Sequence, residues 1–139
     1  MTEGYSGTPL AKKLGIKSGH RLGLIAAPAD FERALEGLPK GVRISRRAVG
    51  TFDVMVFFST TAVMLESRFE RLRQRLHPDG GLWIAWPKKS SGVATDLDFA
   101  HVQRCGLDAG LVDNKVCAID EIWSGLRFVY RLANRPKRQ

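Results

Sequence analysis

Apolar and polar positions repeat along this chain with two different periods, and together the periods lay out an α/β order. Residues 21–27 (Arg-Leu-Gly-Leu-Ile-Ala-Ala), 54–58 (Val-Met-Val-Phe-Phe) and 82–86 (Leu-Trp-Ile-Ala-Trp) are short runs that are apolar on both faces. Such runs occur where helices cover both sides of a parallel sheet. Between the second and third runs, Leu65, Phe69, Leu72 and Leu76 fall at i, i+4, i+7 and i+11. That spacing places them on one face of a helix, with Glu66, Arg68, Glu70, Arg71, Arg73 and Arg75 mostly on the others.

Punctuation residues supply the boundaries. Thr8-Pro9 starts a short helix through Leu10, Lys13 and Leu14, which Gly15 ends. Asp30 is expected to cap a helix carrying Phe31, Ala34, Leu35 and Leu38, stopped by Pro39-Lys40-Gly41. Ser59 to Thr61 caps the strongest helix, and His77-Pro78-Asp79-Gly80-Gly81 ends it. Asp96 is expected to cap a helix through Phe99, Val102, Gln103 and Leu107. Val42-Arg43-Ile44 reads as a short, more exposed strand. Only residues 45–51 separate it from Phe52, fewer than a parallel crossover usually needs. It is therefore either very short with an extended exit or an antiparallel edge strand.

The last part changes character. Leu111 to Ile119 and Leu126 to Leu132 form a hairpin joined by Asp120 to Gly125. Leu126, Phe128, Tyr130 and Leu132 alternate with Arg127, Val129 and Arg131, the pattern of a half-exposed antiparallel strand. Val129 and Tyr130 on that edge could extend a sheet across a homodimer, although Arg127 and Arg131 weigh against it. The order β-α-β-β-α-β-α-β-β predicts a single-domain, Rossmann-like three-layer α/β sandwich. Its sheet is mostly parallel and closes with a C-terminal antiparallel hairpin. Residues 1–20 form an N-terminal motif segment, 21–132 the α/β domain and 133–139 a basic tail.

Composition adjusts this picture only a little. Of the 139 residues, 44% are hydrophobic and 26% charged, which suits one folded domain. No apolar run approaches a membrane span. The opening Met1-Thr2-Glu3-Gly4-Tyr5 lacks the pattern of a signal peptide, so a cytoplasmic location and no membrane partner are expected. Cys105 and Cys117 then read as buried thiols rather than a disulfide. The formal net charge is +8, but half of it comes from Arg131, Arg135, Lys137 and Arg138 near the end of the chain. A basic tail is as much a solubilising end as a polyanion contact.

Three separated stretches carry a family resemblance. They are 4–17, with Gly4-Tyr5-Ser6-Gly7-Thr8-Pro9-Leu10 and Lys12-Lys13-Leu14-Gly15-Ile16-Lys17; 86–92, Trp86-Pro87-Lys88-Lys89-Ser90-Ser91-Gly92; and 112–125, from Val112-Asp113-Asn114-Lys115 to Trp123-Ser124-Gly125. Together they resemble a bacterial, largely actinobacterial, domain family of unknown function, which implies no activity. At the level of fold the chain also resembles the class I methyltransferases, which end in a comparable hairpin and often carry a turn like Pro78-Asp79-Gly80-Gly81. That resemblance implies a glycine-rich loop after the first strand, where backbone approaches S-adenosylmethionine closely. It also implies an acidic residue at the end of the second strand for the ribose. Here the first loop is Ala26-Ala27-Pro28-Ala29-Asp30 and the second region Arg43-Ile44-Ser45-Arg46-Arg47. Both departures argue against that cofactor and equally against a nicotinamide dinucleotide. No cofactor is expected.

Open α/β sheets bind ligands beyond the carboxyl ends of their strands. Four loops should gather there: Pro28 to Asp30, Ser59 to Thr61, Pro87 to Gly92 and Asp120 to Ser124. The third has charge in Lys88 and Lys89, donors in Ser90 and Ser91, and a turn at Gly92, a set suited to phosphate or carboxylate. Asp30, Ser59, Thr60, Asp120 and Trp123 complete the expected ligand-binding set. Trp123 equally suits packing of the hairpin onto the body. His101 and Cys105 share a helix face but make no metal site alone. His20 and His77 lie in turns with no nucleophile nearby in sequence, and no catalytic set emerges.

The leading expectation is a noncatalytic binding or regulatory domain for a small anionic ligand. A second reading is a small-molecule enzyme derived from a methyltransferase-like fold, using Lys88, Ser59 or Asp120. A third is nucleic-acid binding through Arg43, Arg46, Arg47, Arg71, Arg75 and the tail. Either a monomer or a homodimer fits.

Overall fold

The computed structural model describes residues 8–135. Residues 1–7 and 136–139, with the Gly4 to Gly7 part of the opening motif and most of the basic tail, lie outside the described residues. The six strands are β1 (Arg21–Ile25), β2 (Arg43–Ser45), β3 (Phe52–Phe58), β4 (Leu76–Pro87), β5 (Leu111–Ala118) and β6 (Trp123–Tyr130). They form one sheet in the order β2-β1-β3-β4-β6-β5. The first four run parallel, β6 is antiparallel to β4, and β5 is antiparallel to β6. This is the mostly parallel, Rossmann-like sheet with a C-terminal hairpin that the residue pattern implies.

Apolar runs on both faces divide their side chains between two cores. On one face, helices α2 (Ala62–Gln74) and α3 (Phe99–Asp108) pack Leu65, Phe69, Leu72 and Val102 over Met55, Phe57, Leu82, Ile84 and Phe128. On the other, α1 (Leu10–Lys13) and a 3-10 turn at Phe31–Leu35 lie over Leu22, Leu24, Val54, Val56 and Trp83. The second layer is thin, four helical residues and five in a 3-10 turn.

Several boundaries differ from the sequence expectation. The Asp30 helix shrinks to the 3-10 turn, and Asp30 makes no side-chain cap. Its backbone (φ −101°, ψ 13°) is not the extended conformation from which a cap reaches back. Asp98, not Asp96, caps α3 by accepting from the His101 amide at 2.8 Å. Asp96 instead accepts from the Ala62 amide at 2.8 Å, so it serves the first turn of α2 beside the Thr61 cap.

The His77 to Gly81 stretch belongs to β4: Leu76 pairs with Phe52 and Gly81 with Val54, with an outward bulge between. β2 is parallel to β1, and its return to β3 is the short, bent segment 46–51, with Gly50 in the left-handed region and Ala48 packed on the α2–α3 core. β6 keeps its alternation, with Leu126, Phe128 and Tyr130 buried. It is not an edge, however, because β5 covers its far side. Val129 and Tyr130 are therefore unavailable for pairing across a dimer. β5 is the edge, interrupted by a bulge between Asp113 and Lys115. No helix among the described residues is long and apolar enough to cross a membrane.

Candidate functional site

The carboxyl ends of β1, β3 and β4 meet the start of β6 at one edge, so all four expected loops converge there. A recess of about 460 Å³ opens between the β1 loop, the 3-10 turn and the hairpin turn, with Asp30, Phe31, Arg33, Asp120, Ile122 and Trp123 in its wall. Phe31 and Trp123 both meet Phe58 edge to face, at 4.9 and 5.0 Å between ring centroids. The aromatic file is thus both packing and wall. Trp123 packs the hairpin turn onto the body and also lines the recess.

The expected residues divide between this recess and its surroundings. Asp30, Asp120 and Trp123 line it. The Asp120 carboxylate also closes the hairpin turn, accepting from the amides of Ile122 and Trp123 at 2.8 Å each. The loop with Lys88 adjoins the recess through the backbone, where the Lys88 amide donates to Ile122 at 2.7 Å. Lys89, Ser90 and Ser91 make a single 3-10 turn closed by Gly92 in the left-handed region.

The Ser91 hydroxyl donates to the Lys88 carbonyl and accepts from the Val93 amide, so it serves the loop itself. Ser59 is buried, its hydroxyl donating to the Thr61 carbonyl at 2.9 Å. The Thr60 carbonyl accepts from the Thr95 hydroxyl. Phe31, Arg33 and Ile122 are wall residues that sequence reasoning missed. No spacing announces them, because two separate connections, the one between β1 and β2 and the hairpin turn, bring them together.

The β1 loop itself is held by Arg46, from just beyond the end of β2. Its guanidinium donates to the carbonyls of Ala27, Pro28 and Ala29, each at 3.3 Å, and to Glu32 at 3.1 Å. Ala26, at the exit of β1, has φ +57°, the left-handed conformation that glycine adopts without steric cost. The loop keeps a glycine-like backbone at this position while carrying a side chain on it. Arg46, one of the arginines named for nucleic acid, is committed to this clamp.

Solved structures with this fold exist. A SAM-dependent methyltransferase from Aquifex aeolicus superposes with a TM-score of 0.62 at 14% identity, covering 86% of each chain. The fold is that of the class I methyltransferases. A precorrin-6y methyltransferase from Geobacter metallireducens has a TM-score of 0.59 at 10% identity, over 88% of this chain and 86% of that one. The magnesium protoporphyrin IX methyltransferase of Synechocystis, solved with bound SAM, has a TM-score of 0.57 at 9% identity, over 88% and 74%. No protein-family model matches the chain, and no curated protein does. Measured against the methyltransferase fold, the Arg46 clamp lies across the β1 loop and the end of β2, the two places where the resemblance implies cofactor contacts.

Elsewhere, His101 and Cys105 lie along the α2–α3 groove, where His101 Nε2 is 2.7 Å from Glu66. Among the described residues no cluster of His, Cys, Asp or Glu could hold a metal ion. Both cysteines are free thiols. Burial pushes the Cys105 thiol up to about 11, helped by the charges of Glu66 and Asp108. Burial likewise raises Cys117. Neither has the depressed pKa of a nucleophile.

Proposed function

We propose that this chain is a noncatalytic binding domain built on a methyltransferase fold, taking a small anionic ligand at the carboxyl strand edge. The observation that carries this reading is the Arg46 clamp. A guanidinium bonded to three consecutive carbonyls and a carboxylate occupies the ground a nucleoside would need between the β1 loop and β2. It puts a cation where the resemblance implies an acidic acceptor for the ribose hydroxyls. The solved relatives' S-adenosylmethionine chemistry therefore does not transfer with the fold.

The neighbouring recess supplies what a ligand needs. Trp123 and Phe31 give an apolar wall, and Arg33 has no carboxylate partner among the described residues. Lys88 and Lys89, on the adjoining loop, are likewise without an ion-pair partner among them. A ring-bearing anion would meet both features at once.

The test is a thermal-shift panel of nucleotides, acyl-coenzyme A and sugar phosphates at fixed salt. A ligand at about 100 times its dissociation constant adds roughly 2.7 kcal/mol. The reading expects a shift from one small anion that disappears in the double variant Lys88→Ala, Lys89→Ala or in Arg33→Ala. No shift from any small anion, or a shift indifferent to those variants, overturns it.

A further inference from the structure

The opposite edge of the sheet holds a second, larger recess of about 550 Å³, on the thinly covered face. Lys17, His20, Asp53, His77, Asp79 and Arg127 line it. They come from the turn before β1, the second residue of β3, the β4 bulge and the middle of β6. No two of those elements are neighbours in sequence.

The two histidines present the same atom. His20 Nδ1 accepts from the Lys17 amide at 3.0 Å, and His77 Nδ1 accepts from the Asp79 amide at 3.1 Å. An imidazole whose Nδ1 accepts carries its proton on Nε2, so each ring keeps a donor. Arg127 lies half-buried over Gly81, where a Cβ would come within 2.3 Å of its Nε. Its only hydrogen-bond acceptor among the described residues is the Asn114 side-chain oxygen at 3.3 Å. Burial lowers its pKa, as expected for a cation without a counter-charge.

The acids of the recess are already engaged. Asp53 accepts from the Arg21 amide at 2.8 Å, and Asp79 pairs with Arg135 at 3.2 Å. Lys17 is exposed and has no carboxylate partner among the described residues.

We propose that this recess is a binding site for a small phosphate monoester, with Arg127, Lys17 and the Nε2–H groups of His20 and His77 as its donors. Four donors from three separate elements, the turn before β1, the β4 bulge and β6, suit the several oxygens of a phosphoryl group better than the two of a carboxylate. The volume exceeds a phosphate and leaves room for a small organic group. The site lies at the amino ends of the strands, away from the edge where this fold carries cofactors. It stands independently of the ligand proposed for that edge.

The test uses the full-length ¹⁵N-labelled protein titrated with glycerol 3-phosphate, with glycerol as the neutral control. Spectra follow the histidine ring nitrogens and the Arg127 Nε–H. Saturable shifts at His20, His77 and Arg127 are expected with the phosphate and none with glycerol. Lys17→Ala, on an exposed side chain whose loss spares the core, should weaken binding about tenfold, and Arg127→Gln by more. The Lys88→Ala, Lys89→Ala variant should bind as the parent does, which separates this site from the carboxyl edge. Shifts that fail to saturate at millimolar ligand, or equal binding by Lys17→Ala, overturn the proposal.

Discussion

The indole N–H of Trp83 donates to the carbonyl oxygen of Leu14 at 3.0 Å, inside the core and across 69 residues of sequence. This bond pins the segment before β1 to the centre of the sheet, where Ala11, Leu14 and Ile16 are buried against the β4 face. Part of the opening motif is therefore a structural layer. In Trp83→Phe the ring volume is largely kept but the Leu14 carbonyl loses its donor. An unsatisfied buried acceptor costs about 1–3 kcal/mol, which chemical denaturation would read as a lowered midpoint with unchanged slope. A midpoint equal to the parent's would contradict the role given to this bond.

Gly106 lets α3 rest directly on β6. A Cβ there would lie 2.0 Å from the Phe128 ring. In an exposed helix, glycine to alanine gains about 1 kcal/mol. Here Gly106→Ala should lose about 3 kcal/mol through overpacking. The reversed sign is the diagnostic. Combining it with Phe128→Leu should cost less than the sum of the two single changes, as measured in a double-mutant cycle.

Arg46→Ala removes the clamp without touching the core. The β1 loop should loosen locally, so exchange of the Phe31 and Arg33 amides, which close the 3-10 turn on Pro28 and Asp30, should accelerate. Global stability should fall by only about 1 kcal/mol, because the pair with Glu32 is half exposed. Hydrogen exchange that leaves those two amides unchanged would mean that Arg46 holds nothing in place.

The thiols give a pH signature. Cys105 is raised to about 11 from an ordinary value near 9, chiefly by burial. A raised folded-state value favours the protonated form. Its stabilising contribution is complete below about pH 9 and is lost as pH rises through about 11. Alkylation of Cys105 should therefore be slow at pH 8 and accelerate up to that higher value. A midpoint near 9 would show the thiol to be solvated.

The sheet was legible in the sequence because its strands are apolar on both faces, and α2 because Leu65, Phe69 and Leu72 share one face beneath a Thr61 cap. The boundaries that went astray are those decided by tertiary contacts. Asp96 and Asp98 are both suited to capping, and only the approach of α2 assigns one to each helix. The run from Phe31 to Leu38 has helical spacing, but the 3-10 turn is only five residues long. Of the carboxyl-edge site, the loops could be read from the fold class. The Arg46 clamp could not, because Arg46 reaches the β1 loop only once β2 lies beside β1. His20 and His77 are further from legibility still, since nothing in their spacing brings a turn and a strand bulge 57 residues apart to one recess.

The most direct test of the central claim is calorimetric titration of the purified protein with S-adenosylmethionine and S-adenosylhomocysteine. If Arg46 and the alanine-bearing β1 loop close the cofactor ground, neither compound gives a saturable heat at millimolar concentration. Micromolar binding of either would contradict the account and return the chain to the enzymes whose fold it shares.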